Sequence, residues 1–110
     1  MTLPNADGAV IDPTKIRDYL LAAAHPVGRF KARFFVSLGY AADQWERLQD
    51  DILAIARSGT VFGETVNTYG RKFEVDGILT GPSGRSAAVR TVWIIRPEEQ
   101  FPRFVTALPR

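Results

Sequence analysis

The sequence contains no cysteine, which removes disulfides, thiolate nucleophiles and cysteine zinc sites together. Its single histidine is His25, so a histidine-rich metal site is excluded as well. Adjacent acids occur at Asp50-Asp51 and Glu98-Glu99, and both pairs read as solvated surface rather than a Mg²⁺ or Ca²⁺ cage. Neither a metal nor a cofactor is expected. No apolar run approaches the ~20 residues that span a bilayer. The start, Met-Thr-Leu-Pro-Asn-Ala-Asp, has neither the basic nor the apolar region of a signal peptide. The expectation is a soluble, cytoplasmic protein with no membrane partner, and the lack of cysteine fits a reducing compartment. Two catalytic motifs are also missing. Gly81-Pro82-Ser83-Gly84-Arg85 lacks the spacing and following Lys-Ser/Thr of a phosphate loop, and no Gly-x-Ser-x-Gly elbow surrounds a serine.

What is present is the balance of an ordinary globular domain. With 110 residues, 45% of them hydrophobic and 24% charged, one domain can bury a sufficient core without a staple. Fourteen basic against twelve acidic residues leave a net charge of +2. Such mild basicity permits a polyanionic partner without demanding one.

The pattern along the chain divides in two. Asp12-Pro13 suits the start of a helix, with Asp12 capping and Pro13 in the first turn. Ile16, Tyr19, Leu20 and Ala23 recur at helical spacing, and His25-Pro26-Val27-Gly28 breaks the run. A second helix is expected from Arg29 to Leu38, with Phe30, Phe34 and Leu38 as its stripe, Phe35 widening it and Gly39 as its stop. A third runs from Ala42 to Ser58, burying Trp45, Leu48, Ile52 and Ile55, and Gly59 ends it. From Thr60 onward β-branched and aromatic residues take over. Strands are expected over Thr60–Thr68, Arg71–Thr80, Ser86–Arg96 and Arg103–Leu108, with turns at Tyr69-Gly70 and Gly81–Gly84. Helices followed by strands imply an α+β fold, three N-terminal helices packed on one face of a four-stranded antiparallel sheet. Phe34, Leu38, Trp45, Leu48, Ile52, Val92 and Ile94 are expected to share its core.

Few residues could carry chemistry. His25 alone has an ordinary pKa near neutrality, and it lies close in sequence to Arg29, Lys31 and Arg33. It suits acid–base work on a phosphodiester; it equally suits capping a helix end. Arg29, Lys31 and Arg33 spread around their helix, so they cannot all serve one site and also read as a solvated face. If Val92 and Ile94 face the helices, Thr91 and Trp93 lie on the opposite, open face. Val105 and Ala107 would then join the core, leaving Phe104, Thr106 and Leu108 outside with them. Such a face can stack bases and bind phosphates; a strand buried on both sides is the alternative. Tyr69, Arg71 and Lys72, with Arg85 and Arg90 on the next hairpin, sketch a basic rim.

Several of these stretches occur together in a known pattern. Leu3-Pro4-Asn5-Ala6 with Asp12-Pro13, then His25-Pro26-Val27-Gly28-Arg29-Phe30-Lys31-Ala32, then Thr91-Val92-Trp93-Ile94 with Val105-Thr106-Ala107-Leu108-Pro109 resemble an uncharacterised family of short bacterial proteins. The same domain resembles those at the C-termini of polymorphic toxins. The order of elements is similar to the barnase–EndoU–colicin–RelE (BECR) superfamily of ribonucleases, an analogy of fold. The resemblance implies RNA cleavage by attack of the 2′-hydroxyl on the adjacent phosphate. It makes His25 the general acid or base and Lys31 the stabiliser of the charged phosphorane. Thr91 and Thr106 would hold phosphate oxygens, and Trp93, Arg29, Arg71 and Arg90 would bind substrate. The last strand reads Thr106-Ala107-Leu108-Pro109 where such sequences often carry tyrosine before the proline. The partners implied are RNA, with tRNA a candidate, and a small acidic antitoxin or immunity protein. The competing function is a non-catalytic interaction module of the same fold, using the open sheet face as its contact surface.

Overall fold

The computed structural model describes residues 1–22 and 29–110. The expected helix residue Ala23, the break at His25-Pro26-Val27-Gly28 and the Phe30 side chain lie outside the described residues. Helix α1 occupies Pro13–Lys15 and continues as a π-helical segment over Ile16–Leu20. Asp12 starts it as expected, accepting from the Thr14 amide at 3.0 Å and the Thr14 hydroxyl at 2.8 Å. Helix α2 spans Arg29–Ser37 and α3 spans Trp45–Ser58. Short 3₁₀ turns lie at Ala6–Gly8 and Ala42–Gln44.

Strands β1 (Thr60–Asn67), β2 (Gly70–Thr80), β3 (Ser86–Ile95) and β4 (Arg103–Pro109) follow. They form one antiparallel sheet in the order β1-β2-β3-β4. Consecutive hairpins explain the order, since each short turn lays a strand beside its predecessor. The outer edge of β4 is not bare. Val10 bridges Arg103 in parallel, with Phe104 N–H donating to the Val10 carbonyl at 3.0 Å. That bridge, absent from the sequence reading, brings the N-terminal helices to the β4 side of the sheet.

Two glycines are fixed by close approach. Gly39 ends α2 at φ +98°, and a Cβ there would sit 2.5 Å from the Ser83 amide. Gly59 ends α3 with extended φ of −75°; a Cβ would meet the Asp76 carbonyl at 2.6 Å. Gly59 is the expected stop, but its cause is packing on β2 and not a left-handed turn.

The core lies between the helices and one sheet face. Ile16, Leu20, Phe35, Leu38, Leu48, Ile52 and Ile55 meet Phe73, Val75, Leu79, Val89, Trp93 and Phe104, all buried. This corrects several expectations. Of the described rings of α2, Phe35, not Phe34, is fully buried, while Phe34 is half-buried beside it at 5.0 Å between centroids. Trp45 is likewise only partly buried. On β3 it is Thr91 and Trp93 that face the helices, both with no exposed surface. Register gives the reason. Phe73 pairs Trp93 and Val75 pairs Thr91, whereas Lys72 pairs Ile94, Glu74 pairs Val92 and Asp76 pairs Arg90. Directly opposed residues share a face, so the charges of β2 carry Val92 and Ile94 to the outer side. On β4 the bulge opposite Val92 and Trp93 puts Phe104 and Ala107 in the core, where Val105 and Ala107 were expected.

Candidate functional site

At the β4 edge, α2 and the π-helical segment converge on Thr106. The Lys31 ammonium donates to the Thr106 hydroxyl at 2.8 Å and to the Tyr19 hydroxyl at 3.0 Å, and it lies 5.1 Å from the Tyr19 ring centroid. An ammonium has three donors, so one remains for a ligand. Among the described residues no carboxylate pairs with Lys31. Beside it opens a cleft of about 530 Å³ lined by Thr14, Lys15, Asp18, Tyr19, Val105 and Thr106. Lys15 Nζ reaches within 3.5 Å of the Val105 carbonyl, adding a second cation.

The backbone explains the placement. In the π-helical segment Leu21 N–H donates to the Ile16 carbonyl five residues back, at 3.0 Å. The widened turn keeps Ile16, Leu20 and Leu21 buried while Tyr19 is only partly buried and borders the cleft. Such local π geometry recurs at functional sites. On α2, Lys31 and Phe35 are one turn apart, so burying Phe35 aims Lys31 toward β4. The Lys31 hydrogen bond, foremost, holds the Tyr19 phenol below its ordinary pKa. Asp18 accepts from Arg17 at 3.0 and 3.1 Å, and that bond lowers its carboxyl below the usual aspartate range.

The structure thus unites Lys31 and Thr106 and adds Tyr19 and Lys15, which sequence reasoning missed. In sequence Tyr19 is one member of an apolar helical stripe, and straight α-helical spacing gives no hint of a π turn. His25 lies outside the described residues. The remaining candidates are elsewhere. Thr91 donates to the Val75 carbonyl at 2.9 Å and accepts from the Trp93 indole at 2.8 Å. Both side chains are buried, so neither binds phosphate nor stacks a base in this fold. Arg29 opens α2 and lines a separate groove with Ala32, Arg33 and Val36. Arg71 is at the far end of the sheet, paired with Glu64 at 3.0 Å, in a hollow of about 360 Å³ shared with Arg96 and Glu99.

Arg90 is on the outer sheet face, but carboxylates hold it. It bonds Asp76 at 2.8 and 3.1 Å, approaches Glu74 at 3.6 Å and stacks 3.7 Å from the Phe62 ring centroid. Hydrogen bonds from Arg90, foremost, depress the Asp76 carboxyl. A depressed carboxyl contributes stability above its unfolded pKa of about 3.9 and loses it as pH falls through the folded value. Asp76→Asn should therefore destabilise the fold at pH 7, and the gap from wild type should shrink toward pH 3. Urea unfolding at the two pH values checks this, and an equal gap at both would show that the pair contributes nothing.

Among the described residues no helix is long and apolar enough to cross a membrane. The architecture is α+β with a four-stranded antiparallel meander. Residues 2–110 match the model of a domain of unknown function, DUF6883, and the chain belongs to that family. No curated protein matches it. Among solved structures, a chain of the "Contact-dependent growth inhibition toxin - immunity protein complex from Klebsiella pneumoniae 342" is similar in fold. The TM-score is 0.77 at 21% identity, covering 92% of this chain and 99% of that one.

Proposed function

We propose that this chain is a metal-independent ribonuclease of bacterial toxin type, related in fold to the BECR ribonucleases. The observation that carries the proposal is the Lys31 ammonium held between the Tyr19 and Thr106 hydroxyls beside an open cleft. A fixed cation with a spare donor suits the extra negative charge that builds on a phosphate under attack. The nucleophile is the substrate's own 2′-hydroxyl, and His25 is the proton carrier that the reaction requires. Thr106 holds Lys31 and offers its hydroxyl to a phosphate oxygen. RNA is the substrate, with tRNA a candidate, and the cytoplasm is the place of action. Similarity to a chain from a toxin–immunity complex supports a small acidic immunity protein or antitoxin as partner, matching the net positive charge.

Incubating purified protein with total RNA and tRNA tests this. Cleavage leaving 2′,3′-cyclic phosphate ends is expected, and Lys31→Ala should slow it by about 10²-fold. Intact RNA after incubation with folded wild type, or undiminished cleavage by Lys31→Ala, sinks the reading.

One observation favours the interaction module instead. Phe62, Val66 and Ile78 are 61%, 70% and 63% exposed on β1 and β2, more apolar surface than a catalytic cleft at β4 needs. In that case the wild type is inactive on RNA, and Phe62→Ser weakens capture of a cognate partner.

A further inference from the structure

Metal-free cleavage of a phosphodiester moves two protons, one from the attacking hydroxyl and one to the departing oxygen. Resting on the ribonuclease reading above, we infer that Tyr19 is the second proton carrier, its phenol protonating the 5′-oxygen as it leaves.

Geometry puts the phenol in the right company. Its oxygen accepts from the Lys31 ammonium at 3.0 Å, which turns its own hydrogen away from Lys31. The same ammonium bonds Thr106 at 2.8 Å, so a phosphate resting on Lys31 and Thr106 lies next to the phenol. Tyr19, Thr106 and Lys15 line one cleft. Donating a proton leaves a phenolate, and a cation 3.0 Å away stabilises that charge as it forms.

The chemistry also separates the two roles. The hydrogen bond from Lys31 holds the Tyr19 phenol below its ordinary pKa, which makes it a readier proton donor than a free tyrosine. A neutral imidazole offers a lone pair and suits the base. The step balances. His25 takes the 2′-hydroxyl proton, the 2′-oxygen bonds phosphorus, the bond from phosphorus to the 5′-oxygen breaks, and that oxygen leaves with the Tyr19 proton. The products are a 2′,3′-cyclic phosphate and a 5′-hydroxyl. Transfer of the imidazolium proton back to the phenolate through water restores both groups.

The test compares wild type and Tyr19→Phe on an RNA oligonucleotide and on the same oligonucleotide with sulfur replacing the leaving 5′-oxygen. A thiolate leaves without a proton. Tyr19→Phe is expected to slow the oxygen substrate by about 10²-fold and to leave the sulfur substrate nearly unaffected. Both rates come from one folded population, so partial unfolding does not alter their ratio. Equal losses on the two substrates mean that Tyr19 only steadies Lys31, and the inference is wrong. Undiminished cleavage of the oxygen substrate by Tyr19→Phe also overturns it. A wild type inactive on both substrates removes the ribonuclease reading itself, an outcome distinct from the other two.

Discussion

His25→Ala is expected to lower RNA cleavage by about 10²–10⁴-fold, the usual range for losing a general acid or base. The Lys31 ammonium has donors and no acceptor, and the Tyr19 phenol is assigned above to the leaving oxygen, so neither takes the proton of the attacking hydroxyl. Asp18 also borders the cleft, but its bonds from Arg17 lower its basicity. In sequence His25 lies between the segment that carries Tyr19 and the helix that carries Lys31. Asp18→Asn should therefore keep most activity where His25→Ala loses it. The acid limb of the pH–rate profile should follow the imidazole, with activity falling as pH drops and the ring becomes protonated. Circular dichroism of the variant should match wild type. If His25→Ala cleaves as fast as wild type while Asp18→Asn does not, the carboxylate is the base and the assignment to His25 fails.

Trp93→Ala should have the largest effect on stability, about 3–5 kcal/mol. The indole is fully buried and meets Phe104 edge to face at 5.3 Å between centroids. Its N–H donates to Thr91, which donates onward to the Val75 carbonyl. Truncation leaves a void in the largest side-chain position of the core and removes a donor from a buried hydroxyl. For a domain of this size the melting temperature should fall by roughly 10–20 °C. Trp93→Phe should cost less, because most of the ring volume remains. Thermal denaturation decides the matter. A shift of only a degree or two for Trp93→Ala would place the indole back on an outer, solvated face.

The elements were legible in the sequence because their signals are local. Asp12-Pro13 marks a helix start by itself, and Gly81-Pro82-Ser83-Gly84 marks a hairpin by itself. The side of the sheet that faces inward is not local. Val92 and Ile94 are as apolar as Trp93, so β3 read alone is ambiguous, and its cross-strand neighbours decide. One signal was available: Arg90 shares alternation with Val92 and Ile94, and an arginine there argues for the outer side. Trp93 and Thr91 also satisfy each other's polar atoms, which lets both be buried without penalty. In the candidate site, Lys31 and Thr106 were named from resemblance, and the structure brings them within 2.8 Å. Tyr19 was hidden because a one-residue widening of a helical turn leaves no mark in hydrophobic periodicity.

The bond between Lys31 and Thr106 joins residues 75 positions apart, and the Val10–Arg103 bridge joins a pair almost as far apart along the chain as any in the fold. The hairpins of the sheet close over short loops and can form early, whereas these two contacts require closure of a long loop. During synthesis the ribosome releases Tyr19 and Lys31 long before Thr106 emerges. The cleft therefore waits on β4, because Tyr19 and Lys31 lie early in the chain and it is complete only once Thr106 has docked beside them.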